Sequence, residues 1–291
     1  MLTYQNADWN CPSIESRKII SHLTKDKVAS FSEVEAVKEM VYDLAEEIGD
    51  KRYILPVWQN MEALILSSIL ASHRGTEETW IPGKYCMTSL DELSEIPLSM
   101  ASHPMHRATL QAISFFKNEP LILEVESPFT ILSALMDPMD LFPCFMEEAV
   151  GLKSVLHRIA DAQVDSIRQA IEAGCRVISL ADPVGNMNMV GEKYFLEFVG
   201  ESELYLMKSM DPYLDKAIVH ICKKTSQSLL IAGLLSQEMY HGSEACENYY
   251  EMLLSMASDP AIHYTGMTCI HDRHPNLTDS VVLKITETMR L

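Results

Sequence analysis

From residue 120 onward, the chain alternates short apolar segments with longer amphipathic ones, and this alternation constrains the fold more than any other feature. Apolar runs of strand length begin near residues 120, 176, 216 and 262. The residues between them are numerous enough for helices. Strands that alternate with helices form βαβ units around a parallel sheet. The pattern therefore predicts an α/β fold.

The same reasoning assigns the individual elements along the chain. Strands are predicted at residues 52–58, 120–126, 176–182, 216–222 and 262–270, with a short extended piece near 236–241. Helices are predicted at residues 31–49, 61–72, 103–117, 144–173, 192–209, 225–235 and 243–257, with a short helical turn at 90–93. Ser32 and Gly49 are expected to cap the first helix, and a final helix is expected to start near Leu277.

Polar side chains lie at the C-terminal ends of the predicted strands, and this favours a barrel over an open sheet. They are Glu126, Asp182, His220, Cys222 and Cys269. In a (β/α)8 TIM barrel those strand ends form the active face. No glycine-rich phosphate loop follows any predicted strand, which disfavours a nucleotide-binding doubly wound sheet. The sequence therefore predicts a somewhat compressed (β/α)8 TIM barrel.

Length and charge limit the organisation and the partners of the chain. Its 291 residues fit a single domain, with residues 1–50 as an N-terminal helical extension and residues 51–291 as the barrel catalytic domain. A net charge of -18 argues against nucleic-acid partners, because a phosphate backbone would be repelled. We expect no membrane span and no signal peptide, and therefore a cytoplasmic protein whose seven cysteines are reduced.

His220 and Cys222, together with Cys269 on a later strand end, form a candidate metal site. Residues two apart on a strand point to the same side, so His220 and Cys222 share a face. An imidazole and two thiolates suit zinc, and three protein ligands leave one position open for a substrate. Zinc there would hold a substrate thiol as the thiolate at neutral pH. The alternative is that each of these residues belongs to the core.

Two acidic positions are the candidate catalytic residues, Glu126 and Asp182. Glu124 and Glu126 share one face of their strand, where they either make structural hydrogen bonds or serve a function. Asp182 precedes a proline and other turn-forming residues, so it either stabilises a turn or places an acid at the barrel mouth to orient a substrate.

Four further histidines are interpreted as residues without a role in the site. His271 and His274 follow Cys269 in a predicted loop and are expected to be solvated. His103 and His106 lie at the start of a predicted helix and are expected at the surface.

Several segments resemble the uroporphyrinogen decarboxylase superfamily. Residues 126–132, Glu-Ser-Pro-Phe-Thr-Ile-Leu, resemble its Gly-Pro-Phe-Thr segment, and residues 164–183 resemble its helix, Ala-Gly turn and Asp-ending strand. Residues 219–222 and 266–269 are similar to the zinc motif of its methyltransferase branch, which contains the methylcobamide:coenzyme M methyltransferases. The resemblance is clearest between residues 120 and 275.

This resemblance implies a TIM barrel in which His220, Cys222 and Cys269 hold zinc, with Asp182 in the mouth. The zinc would bind and deprotonate a small thiol such as coenzyme M. The thiolate would then take a methyl group from methylcob(III)alamin, supplied by a separate corrinoid protein or as free methylcobalamin.

Two alternatives stay within the same superfamily. A cofactor-free decarboxylase would need basic partners for its substrate carboxylates, and the arginine-rich N-terminal motif of that branch has no counterpart here. A non-catalytic member could instead bind a corrinoid protein. The sequence departs from the methyltransferase branch at Lys223, where glycine is usual. It also departs in the short stretch between Cys222 and Cys269, which predicts a compressed seventh strand and helix.

Overall fold

The computed structural model describes residues 2–9, 31–48, 53–55, 61–76, 84–242, 246, 248–271 and 279–286. Predictions at Gly49, His274 and Leu277 lie outside these residues. Seven strands of the described residues form one sheet in the order β1-β2-β3-β4-β6-β7-β5. They are β1 (Tyr53–Leu55), β2 (Leu121–Glu126), β3 (Val177–Ala181), β4 (Ile218–Ile221), β5 (Leu235–His241), β6 (Tyr264–Thr265) and β7 (Asp279–Ile285).

Five consecutive strands of the sheet run parallel, as the alternation predicted. These are β1, β2, β3, β4 and β6, while β7 pairs antiparallel with β6 and β5 pairs antiparallel with β7. The predicted final helix is wrong where the structure describes it, because Asp279–Ile285 forms a strand. Its β-branched residues Val281 and Val282 suit a pleated surface, and pairing on both sides holds it extended.

Helices connect the strands and account for most of the predicted helical segments. They are α1 (Val34–Ile48), α2 (Met61–Arg74), α3 (Asp91–Ser94), α4 (Pro104–Phe116), α5 (Pro128–Leu135), α6 (Pro138–Glu147), α7 (Ala149–Glu172), α8 (Met187–Val190), α9 (Glu192–Tyr194), α10 (Gly200–Met210), α11 (Lys223–Ile231) and α12 (Tyr249–Met256). A π-helical turn, Phe195–Val199, joins α9 to α10, and a 3-10 turn, Asp211–Tyr213, follows α10.

The two faces of the sheet pack against different partners. On one face, residues such as Leu123, Leu180 and Val219 enter a large core shared with most of the helices. On the other face, Ile122 and Ile218 pack with α12 in a smaller core. We call these the helix face and the interior face, since the second corresponds to the face that lines a TIM barrel.

The chain segment that follows β6 covers part of the interior face. His271, which follows β6, contacts Glu124 of β2 with its Nε2 2.6 Å from Oε2, although β3 and β4 lie between those strands. The segment after β6 therefore folds back over the C-terminal ends of β3 and β4. The α/β fold of TIM-barrel type is confirmed, and the compression falls where β5 leaves the parallel order for the sheet edge. No helix in the described part of the chain is long and apolar enough to cross a membrane.

Candidate functional site

A row of polar residues crosses the interior face near the C-terminal ends of four strands. Glu124, Ser179, His220 and Thr265 are paired in register across β2, β3, β4 and β6. Paired residues of neighbouring strands project to the same face of a sheet. Sequence reasoning did not identify Ser179 and Thr265 as members, because only the register shows that they align with His220.

His220 is buried at the centre of this row. Its Nε2 donates to the Thr268 carbonyl at 2.8 Å, and the Ser179 hydroxyl donates to Nδ1 at 3.4 Å. The ring of Tyr249 meets it edge-on, with centroids 6.0 Å apart. Burial lowers the pKa of His220 to about 4, so the imidazole is neutral at neutral pH.

The strand order brings the two cysteines of the predicted metal site close to His220. Cys222 directly follows β4 and is the N-cap residue of α11, while Cys269 is buried in the segment after β6. Since β4 pairs directly with β6, the ends of these strands lie side by side, and His220 binds the residue before Cys269. The fold therefore brings Cys222 and Cys269 into the same region, although they are 47 positions apart in the sequence.

The side chains nevertheless do not surround a common point as they stand. Among the described residues, no three His, Cys, Asp or Glu side chains are placed to hold one metal ion. The Nε2 of His220 is directed at the Thr268 carbonyl instead. The chemistry of the predicted donor set suits zinc, but the three side chains as they stand do not form a zinc site.

The prediction that His271 is a solvated loop residue is wrong. Its side chain is 4% exposed and pairs with the Glu124 carboxylate, which is itself mostly buried. Glu126, two residues further along β2, is also buried, and its carbonyl accepts from the Gln163 amide of α7. The interior face thus brings an acid and an imidazole together within hydrogen-bond distance beside His220.

Asp182 lies on the helix side of the strand ends and is fully buried. Its Oδ1 accepts from the Thr130 hydroxyl at 2.6 Å and from the Gly185 amide at 2.6 Å, and its Oδ2 accepts from the Thr225 hydroxyl at 3.2 Å. Thr130 and Thr225 lie in the first turns of α5 and α11. A Cβ at Gly185 would overlap the carboxylate. Asp182 therefore ties two helix starts to its own loop, and burial raises its pKa.

Glu203 of α10 is a second buried acid near Asp182, and sequence reasoning missed it. Neither of its carboxylate oxygens has a hydrogen-bond partner of good geometry among the described residues. Burial first, and the Asp182 carboxylate second, raise the pKa of Glu203 well above its ordinary value. A signal was available, because Glu203 lies four residues from both Val199 and Met207, on the apolar face of its helix.

The surface interpretation of the two histidines near α4 is also corrected. His106 is buried, with its side chain among α2, α4 and α7, and burial lowers its pKa to about 4. His103 is half-buried and caps α4, since its Nδ1 accepts from the Met105 amide at 3.3 Å. The N-cap position and the helical spacing of His106 with the buried Ile113 were the available signals.

The fold and the site define a class of protein. It is a TIM-barrel-like α/β protein with a row of polar residues at its strand ends. The profile of the family described as Uroporphyrinogen decarboxylase (URO-D) matches residues 85–239, which is more than half of the chain. The chain belongs to this family.

Two individual proteins that resemble the chain are methyltransferases. The methylcobamide:CoM methyltransferase MtaA of Methanosarcina barkeri (strain Fusaro / DSM 804) is 24% identical over 139 residues, a match covering 46% of this chain and 40% of that protein. The structure of a methyltransferase from Methanosarcina mazei superposes with a TM-score of 0.52 at 16% identity, covering 72% of this chain and 63% of that chain. The second similarity shows a shared fold, and both span less than two thirds of the matched protein.

Proposed function

We propose that this protein is a methyltransferase that moves a methyl group from a methylated corrinoid to a small thiol. The donor is free methylcobalamin or a corrinoid protein, and coenzyme M is the first acceptor to test. The observation that carries the proposal is the similarity to the MtaA protein, whose name describes methyl transfer between a methylcobamide and CoM. In this reaction a sulphur–carbon bond forms while the cobalt–carbon bond breaks, and the thiol loses its proton.

The polar row of the interior face is where we place the acceptor. His220 is neutral there, and Glu124 and His271 hold the segment that carries Cys269 over the strand ends. Burial of these groups keeps water away from the reacting sulphur, which strengthens each electrostatic interaction in the site. Glu126 remains a candidate for contact with substrate, whereas the contacts of Asp182 support a positioning role.

Zinc held by His220, Cys222 and Cys269 remains a prediction of the sequence that metal analysis can test. Such a metal would lower the pKa of a bound thiol. The hydrogen bond from His220 to Thr268 would have to break first, because a metal and a carbonyl cannot both be partners of the same nitrogen.

The experiment is a methylcobalamin demethylation assay across several thiols, combined with metal analysis of the same purified protein. We expect thiol-dependent loss of the cobalt-bound methyl group, and at least a tenfold lower rate for Cys222→Ala. Cys86→Ala is the matched control, since Cys86 is half-buried like Cys222 but pairs through its backbone with Leu135, at the end of α5. Failure to demethylate with any thiol, by a folded protein, would contradict the proposal.

The metal measurement separates two forms of the site. About one zinc per chain, lost in Cys222→Ala and retained in Cys86→Ala, would establish the three-ligand centre. Thiol-dependent activity from a metal-free protein would instead assign thiol activation to the side chains of the interior face.

A further inference from the structure

Residues 2–9, which we call the N-terminal strap, contact the helices that follow β3 and β4. The hydroxyl of Tyr4 donates to Oδ1 of Asn188 in α8 at 3.1 Å. Near the other end of the strap, Asp8 contacts the first two turns of α11. Because β3 and β4 are neighbours in the sheet, the strap joins two helices at the end of the sheet where the candidate site lies.

Asp8 is bound through both its backbone and its side chain. Its N–H donates to Oε1 of Gln227 at 2.8 Å, and its carbonyl accepts from Nε2 of the same side chain at 2.9 Å. Gln227 is only 2% exposed, so these two hydrogen bonds are shielded from water. The carboxylate of Asp8 pairs with the ammonium of Lys223, which lies one turn before Gln227 on the same face of α11. The strap is therefore attached at a defined position of its backbone.

These contacts give a role to the lysine that follows Cys222. In the methyltransferase branch that the sequence resembles, glycine is usual at the position of Lys223, and glycine has no cation to offer Asp8. Cys222 is the N-cap residue of α11 and Lys223 is the first residue of that helix. The strap is therefore attached directly beside one of the residues of the candidate site.

The strap holds α11 from the side opposite to Asp182. The hydroxyl of Thr225 donates to the Asp182 carboxylate at 3.2 Å. Lys223 and Gln227 each lie two positions from Thr225, which is about 200° round an α-helix. Attachments on opposite sides restrict the rotation of the first turns of α11. They therefore also restrict Cys222, from which the helix starts.

We propose that the N-terminal strap positions Cys222, with Gln227 and Lys223 as positioning residues. Without the strap, the start of α11 keeps its attachment to Asp182 but loses the opposing one, so Cys222 becomes more mobile and more accessible. Gln227 contributes more than Lys223, because its hydrogen bonds to the strap are buried whereas the carboxylate of Asp8 is half-exposed. The proposal rests on the proposed function only in taking Cys222 as part of the site.

The rate at which iodoacetamide alkylates Cys222 in the whole protein tests the proposal. Mass spectrometry of the Cys222 peptide measures that rate, and the half-buried Cys86 is the internal reference. We expect Gln227→Leu to raise the rate at Cys222 about tenfold, because two hydrogen bonds to the strap are lost, and to leave Cys86 unchanged. An unchanged rate at Cys222 would overturn the proposal. An equal rise at both cysteines would also overturn it, because it would show a general loosening of the fold.

The alkylation result and the methyl-transfer assay can fail independently. A protein that transfers no methyl group to any thiol would contradict the proposed function, while selective exposure of Cys222 in Gln227→Leu would still support the strap. If methyl transfer is observed, we expect Gln227→Leu to lower kcat, because a displaced Cys222 impairs the site.

A charge exchange tests the attachment of the strap without reference to Cys222. Asp8→Lys and Lys223→Asp each bring like charges together, so we expect hydrogen exchange in residues 2–9 to become about two- to fivefold faster in either variant. The double variant restores an ion pair and should return the exchange rate towards that of the unmodified protein. Lys224→Asp makes the same change of charge one residue further on and should leave the exchange rate unchanged. Failure of the double variant to recover, or an equal effect of Lys224→Asp, would overturn the assignment of Lys223.

Discussion

The helix face and the interior face of the sheet both carry buried acids near the strand ends, but they stabilise them in different ways. On the interior face, Glu124 has a titratable partner in His271. On the helix face, Asp182 accepts hydrogen bonds from two hydroxyls and one amide, and no cation is among these partners. Glu203, close by, lacks even hydrogen bonds of good geometry from the described residues.

This difference shows that a position at a strand end does not determine the role of an acid. The side chains of β2 alternate between the two faces, which places Glu124 and Glu126 on the interior face. Asp182 follows the last residue of β3, where the chain turns, and its side chain enters the helix layer instead. Glu124 and Glu126 can therefore contact a substrate on the interior face. Asp182 instead holds the starts of the surrounding helices in place.

The largest effect is expected from Asp182→Ala. Its removal leaves the hydroxyls of Thr130 and Thr225 and the Gly185 amide without their acceptor. We expect a loss of about 3–5 kcal/mol in the free energy of unfolding, because hydrogen bonds to a charged group are the stronger ones. Urea denaturation measures it. Asp182→Asn, which keeps the shape, should lose less. A variant with unchanged stability and no activity would place Asp182 in the reaction instead.

A double-mutant cycle on Glu124 and His271 tests the pairing on the interior face. We expect each alanine variant to lose about 2 kcal/mol and the pair to show a coupling energy of about 1–3 kcal/mol. The exposed ion pair of Glu238 and Lys284 is the matched control, with an expected coupling below about 1 kcal/mol. Equal coupling in the two cycles would mean that burial adds nothing to the interior pair.

Glu203 is a fully buried acid beside the Asp182 carboxylate and is expected to reduce stability, so Glu203→Gln should stabilise the protein. The pKa of Glu203 is raised in the folded state, so folding retains a proton that the unfolded chain releases above about pH 4.5. Stability is therefore lost as the pH rises above that value. Glu203→Gln should gain about 1 kcal/mol near neutral pH and less at pH 5. Unfolding curves at several pH values measure this, with the exposed Glu192→Gln as control. A gain independent of pH would contradict it.

Local pattern predicted the parallel strands and the positions of Asp182, His220 and Cys222 at their ends. The features that the sequence did not predict depend on contacts between segments that are distant in the chain. His271 is buried because its partner Glu124 lies 147 residues away. The strand Asp279–Ile285 forms because β5 and β6 flank it, and neither contact leaves a periodic signal in the residues themselves.

The smallest effect is expected from Ser179→Ala, which removes the hydroxyl 3.4 Å from Nδ1 of His220. His220 keeps its shorter bond to the Thr268 carbonyl, so we expect a loss of only about 0.5 kcal/mol in unfolding free energy. Thr130→Val is the counterpart on the helix face, where the lost bond is 2.6 Å and its acceptor is a carboxylate. That variant should lose about 2 kcal/mol. Equal losses would mean that the two faces hold their polar groups with equal strength, because each variant removes one hydroxyl from one face.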